Sequence, residues 1–158
     1  MSEKIVVIHA KDAPVRAVKS LYPEPYASMM AGRAKQPLGD LFGLKNFGVN
    51  LLRLEPGAVS ALHHRHFKQD EFIYVLAGEA VLISDEGEFA LEPGMAAGFA
   101  AGGAAHHLHN RSHEDCLILE VGDRRPGDGV EYPNDDIKAV QGEDGKWQFT
   151  RKDGSSLS

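Results

Sequence analysis

Residues 57–84 read GAVSALHHRHFKQDEFIYVLAGEAVLIS. Gly78 separates two runs, 71–76 and 79–84, that are rich in β-branched and aromatic residues and read as strands. Residues two apart in a strand point to the same face. His64 and His66 therefore share a face, while His63 and Arg65 point outward. Ile73 and Val75 continue the inward face of Glu71, which leaves Phe72 and Tyr74 as packing residues on the outer face. Residues 67–70 turn the chain and bring the Glu71 carboxylate back toward the two imidazoles.

Outward from this stretch the same pattern repeats. Runs at 47–54, 59–64, 88–91, 95–99, 106–110 and 116–121 read as strands. Pro56-Gly57, Asp85-Glu86-Gly87 and Pro93-Gly94 punctuate them as turns. Short strands spaced by glycine turns predict an all-β sandwich or barrel. The chain has 158 residues, one domain's worth. Three regions are expected within it: an N-terminal arm over 1–40, a core over 41–123 and a C-terminal extension over 124–158. In the arm, residues 4–9 read as a short strand, and Pro14, Pro23, Pro25 and Pro37 break any regular element beyond it. The stretch 22–26 should be extended, because residues before proline are pushed toward the β region. The extension has a hairpin turn at 143–146, a return strand at 147–150 and loose residues from 155 onward. Trp147 and Phe149 glue it to the barrel or to a partner subunit.

Net charge is −6, and no basic patch occurs, which argues against nucleic acid as a partner. No apolar run approaches the length of a membrane span. Cys116 is the single cysteine, so no intrachain disulfide forms, and a cytoplasmic location is expected. Cys116 lies in an apolar strand and reads as a buried, inert thiol.

Seven of the eight histidines fall between His63 and His113. The first cluster is His63-His64-Arg65-His66 and the second is His106-His107-Leu108-His109-Asn110. Imidazoles combined with a carboxylate make a mixed N/O site that suits Zn, Ni, Fe or Mn better than Mg or Ca. Open positions on such an ion serve a substrate or water. Surface histidines on turn-proximal strands are the plainer account of the same clusters.

The spacing carries a resemblance. Gly57, six residues, His64-x-His66, four residues, Glu71, six residues and Gly78 resembles the first cupin motif. Gly94, five residues, Ala100, Gly102, His106 and Asn110 resembles the second, with alanine where the family usually has proline. Three residues separate Gly102 from His106, one more than usual, so His107 is an alternative to His106. Residues 43–50, 70–79, 122–124, 131–133 and 152–154 are similar to small bacterial single-domain cupins of the sugar-phosphate-isomerase-like group. The resemblance implies a jelly-roll β-barrel and a divalent metal on His64, His66, Glu71 and His106. It also implies a homodimer and metal-dependent chemistry on a small polar substrate. An Fe-dependent dioxygenase, a lyase and a non-catalytic small-molecule sensor are the rivals. Lyases of this fold carry a tyrosine where this chain has Ile73.

Arg53 is the best candidate for binding an anionic substrate if the face it shares with Val49 and Leu51 is inward. Arg33, Arg65 and Arg111 are further cations of the same type. His63 reads as an exposed strand residue, and Asn110 as a turn or backbone partner.

Overall fold

The computed structural model describes residues 4–157. Met1 to Glu3 of the expected arm, and Ser158, lie outside the described residues. Twelve strands occur in chain order: β1 (Arg33–Pro37), β2 (Phe47–Leu54), β3 (Arg65–His66), β4 (Glu71–Ala77), β5 (Ala80–Ser84), β6 (Gly87–Leu91), β7 (Ala96–Phe99), β8 (His106–His109), β9 (Cys116–Asp123), β10 (Gly129–Glu131), β11 (Lys138–Gln141) and β12 (Trp147–Thr150). They form three antiparallel sheets, ordered β1-β2-β9-β4-β7, β12-β11-β10-β3 and β6-β5-β8, in an all-β jelly-roll arrangement.

Alternation along the strands sets the core. Leu52 and Leu54 of β2, Val75 of β4 and Ile118 of β9 point inward and are fully buried. Their neighbours Phe72, Tyr74 and Leu76 on β4 face out and are exposed. A second apolar cluster joins Met30, Leu62, Val130, Tyr132 and Ile137, and Tyr22, Trp147, Phe149 and Leu157 pack on it. The tail aromatics are thus partly buried against the chain's own second cluster, and Leu157 packs where the end was expected to be loose.

Gly78 turns β4 into β5 with φ +74°, and a Cβ there would meet the Asp115 carbonyl oxygen at 2.3 Å. Only glycine fits this position.

Several local expectations change. Residues 4–9 form no strand, and the sheet edge beside β2 is taken by β1, a segment of the expected arm. Residues 59–64 make only isolated bridges, Val59 to His109 and His64 to His106. The stretch 22–26 turns instead of extending. The Ala27 amide donates to Pro23, and Ser28 donates to the Glu24 carboxylate, leading into a 3-10 turn over Ala27–Met30.

Candidate metal centre

His64 sits beside β3 and bridges His106 at the start of β8, with paired backbone hydrogen bonds of 2.9 and 3.2 Å. His66 ends β3 and Glu71 starts β4. The four side chains meet. Glu71 Oε1 lies 3.4 Å from His64 Nε2, 3.4 Å from His66 Nε2 and 3.3 Å from His106 Nε2.

The other ring nitrogen of each histidine is held from behind. His64 Nδ1 donates to the Leu62 carbonyl at 2.7 Å, and His106 Nδ1 lies 3.4 Å from the Ala104 carbonyl. His66 Nδ1 donates to Asp128 Oδ2 at 2.5 Å. Asp128 is buried and accepts the Lys68 amide on its other oxygen. Phe99 stacks flat on the His106 ring, with centroids 3.5 Å apart. Each imidazole therefore turns its Nε2 lone pair to one point, as metal-ligating histidines with a fixed outer partner do.

Glu71 Oε1 is buried, yet none of these imidazoles completes a hydrogen bond to it. A carboxylate oxygen in that state is costly unless a cation meets it. Nitrogen and oxygen ligands at about 2.1 Å from one ion stand roughly 3.0–3.4 Å apart. The observed spacings and donor set fit a divalent transition metal. His64, His66 and Glu71 are together a possible metal-holding group. Burial pushes the Glu71 carboxyl up, but the facing His106 and His64 imidazoles outweigh it and hold it well below the usual carboxylate range. Burial pushes His64 down, but Glu71 outweighs it and the net shift is upward.

The cluster opens into a cavity of about 650 Å³. That volume suits a small ligand. Tyr22 and Tyr132, Lys35, Asn50 and Glu120 are among its walls. Glu120 Oε1 accepts from Asn50 at 3.0 Å and pairs with Lys35 at 2.8 Å.

The chain is 41% identical to a sugar phosphate isomerase of the cupin superfamily from Silicibacter pomeroyi, over 96% of each chain and with a TM-score of 0.88. The chain belongs to the cupin superfamily. The cupin domain model matches residues 50–122. A sugar phosphate isomerase candidate from Acidithiobacillus ferrooxidans is 31% identical over 80% of each chain, with a TM-score of 0.72. The polyketide cyclase RemF from Streptomyces resistomycificus shares the fold, at 21% identity and a TM-score of 0.61 over 75% of this cupin and 79% of RemF. No curated protein matches.

The remaining sequence candidates divide. His107 lies on the opposite face from His106, and its Nδ1 meets His63 Nδ1 at 3.0 Å. His63 is only 9% exposed, not the exposed residue expected, because its Nε2 bonds Asp85 at 2.8 Å. Arg53 points away from the core and pairs with Asp115 at 3.0 Å, outside the cavity wall. Arg65 pairs with Glu131. Asn110 is fully buried and donates to the carbonyls of Leu54 and Glu114. Sequence reasoning missed Asp128, Tyr22, Tyr132 and Glu120. Asp128 lies 62 residues from His66, so no local spacing signalled it.

Proposed function

We propose that this cupin is a metal-dependent enzyme of the sugar-phosphate-isomerase type, with a Zn, Mn, Ni or Fe ion on His64, His66, Glu71 and His106. The observation that carries the reading is the buried Glu71 oxygen, without a hydrogen bond and faced by three imidazole nitrogens. Identity of 41% across nearly the whole chain to a cupin sugar phosphate isomerase supports the reaction class. A bound divalent ion would supply Lewis-acid polarisation of a substrate carbonyl or hydroxyl. Burial raises Tyr22 and Tyr132, and the two phenols, paired with each other, add hydrogen-bonding groups to the cavity wall. We assign to Glu120, a cavity-wall carboxylate held by Asn50 and Lys35, the role of taking and returning a proton between adjacent substrate carbons.

The test starts with elemental analysis of untagged protein beside a His64→Ala/His66→Ala variant. About one ion per wild-type chain and none in the variant is expected. Turnover of an aldose or ketose phosphate should accompany it, and Glu120→Gln should keep the ion while losing at least a hundredfold in rate. A wild-type protein that takes up no metal on reloading overturns the reading. Iron with substrate-dependent oxygen uptake moves it to a dioxygenase.

A homodimer and a cytoplasmic location belong to the same proposal. Val6 and Val7 of the arm are 78% and 86% exposed, and Phe72, Tyr74 and Leu76 form an apolar row on the outer sheet face. The lone buried cysteine is compatible with a reducing compartment.

A further inference from the structure

The cavity wall carries four cations beside three carboxylates, Glu71, Glu120 and Asp123. Arg16, Arg33, Lys35 and Arg124 all line it. Lys35 is paired with Glu120 at 2.8 Å and Arg124 with Asp40 at 2.8 Å. Arg16 and Arg33 have no carboxylate partner among the described residues. Their guanidinium groups converge, because both donate to the Lys19 carbonyl, at 3.2 Å from Arg16 and 3.0 Å from Arg33. Arg33 also donates to Ser60 at 2.7 Å, and its buried Nε has no hydrogen-bond partner. Arg33 is itself only 9% exposed. Two adjacent like charges, one of them buried, repel each other and are costly unless an anion meets them.

We propose that Arg16 and Arg33 form an anion subsite that takes the phosphate-monoester end of a ligand, whose other end faces His64, His66, Glu71 and His106. The inference rests on the reading of the cavity as a substrate site and names the group that site grips. A phosphate monoester carries a charge of about −2, which matches two guanidinium groups. A carboxylate would leave one of them uncompensated. Guanidinium forks also match phosphate oxygens in geometry. The shared Lys19 carbonyl ties the subsite to the N-terminal arm, so the arm that crosses the cavity wall is also what positions the two cations.

The test is calorimetric titration of the full chain with inorganic phosphate against chloride at fixed ionic strength. It is run on metal-loaded and on chelator-stripped protein, which separates the subsite from phosphate bound directly by an ion. Saturable binding to both forms is expected, with acetate at least tenfold weaker. Arg16→Gln should weaken phosphate about tenfold, the loss of one charge-assisted contact. Arg16 bonds only carbonyls of its own arm, and its loss relieves the repulsion on Arg33, so this variant should melt no lower than wild type. Arg33→Lys keeps the charge and loses the fork, and should also weaken binding. No saturable phosphate binding to stripped protein, or equal binding by wild type and Arg16→Gln, overturns the subsite. Equal affinity for acetate overturns the phosphate assignment. Phosphate binding by a chain that takes up no metal leaves the subsite standing and removes only the metal reading.

Discussion

At the residue scale, the strand period of two made His64 and His66 legible as a pair, because neighbouring side chains in a strand alternate by geometry alone. Their outer partners were not legible, since Asp128 reaches His66 from the residue just before β10, the strand that pairs with β3. Asp128→Asn keeps the shape and removes the charge behind the imidazole. We expect it to fold and to lose ten- to a hundredfold in metal affinity, read by competition with a chelator. Cys116 makes a separate prediction. It is fully buried, and burial pushes its thiol from 9.0 up to about 11. The unfolded thiol loses its proton first as pH rises, so the unfolded state binds fewer protons between pH 9 and 11. This group's contribution is therefore intact below pH 9 and is lost as pH rises toward 11. Denaturation curves at pH 8, 9.5 and 11 should fall more steeply for wild type than for Cys116→Ala.

At the scale of elements, strands with an apolar inner face were readable, and 47–54, 71–76 and 95–99 became β2, β4 and β7 within a residue or two. Pairing was what the pattern could not supply. The run 4–9 is β-branched and apolar throughout 5–8, but a strand exists only where a ladder partner is free. The free edge of β2 is taken by β1, with Arg33 opposite Leu54 and Pro37 opposite Asn50. The turn between β4 and β5 carries a sharp expectation. Gly78→Ala would combine a left-handed φ with a Cβ against the Asp115 carbonyl, and backbone cannot yield as a side chain does. A loss of about 2 kcal/mol or more is expected in urea denaturation. Gly94→Ala has a similar φ but open space around it, and should cost less.

At the scale of the molecule, the exposed apolar row on β4 and the exposed arm valines have no cover among the described residues. Tyr74→Glu places a charge in that row, and light scattering at micromolar concentration should show wild type as a dimer and the variant shifted to monomer. A monomeric wild type would remove the dimer. The β-rich class, the inward side of β4 and the pairing of His64 with His66 on one face come from the sequence itself. They are local properties, set by side-chain alternation, turn glycines and motif spacing. Tertiary structure alone decided which histidine of the second cluster meets the first pair. His106 faces Glu71, while its neighbour His107 turns outward to a buried His63, because β8 pairs with β5 and bridges His64 in one register. It also set Arg53 against Asp115 at the surface, while Arg16 and Arg33 line the cavity. Whether a guanidinium faces a cavity or a surface carboxylate depends on the packing of segments far apart in the chain, and local spacing does not encode that.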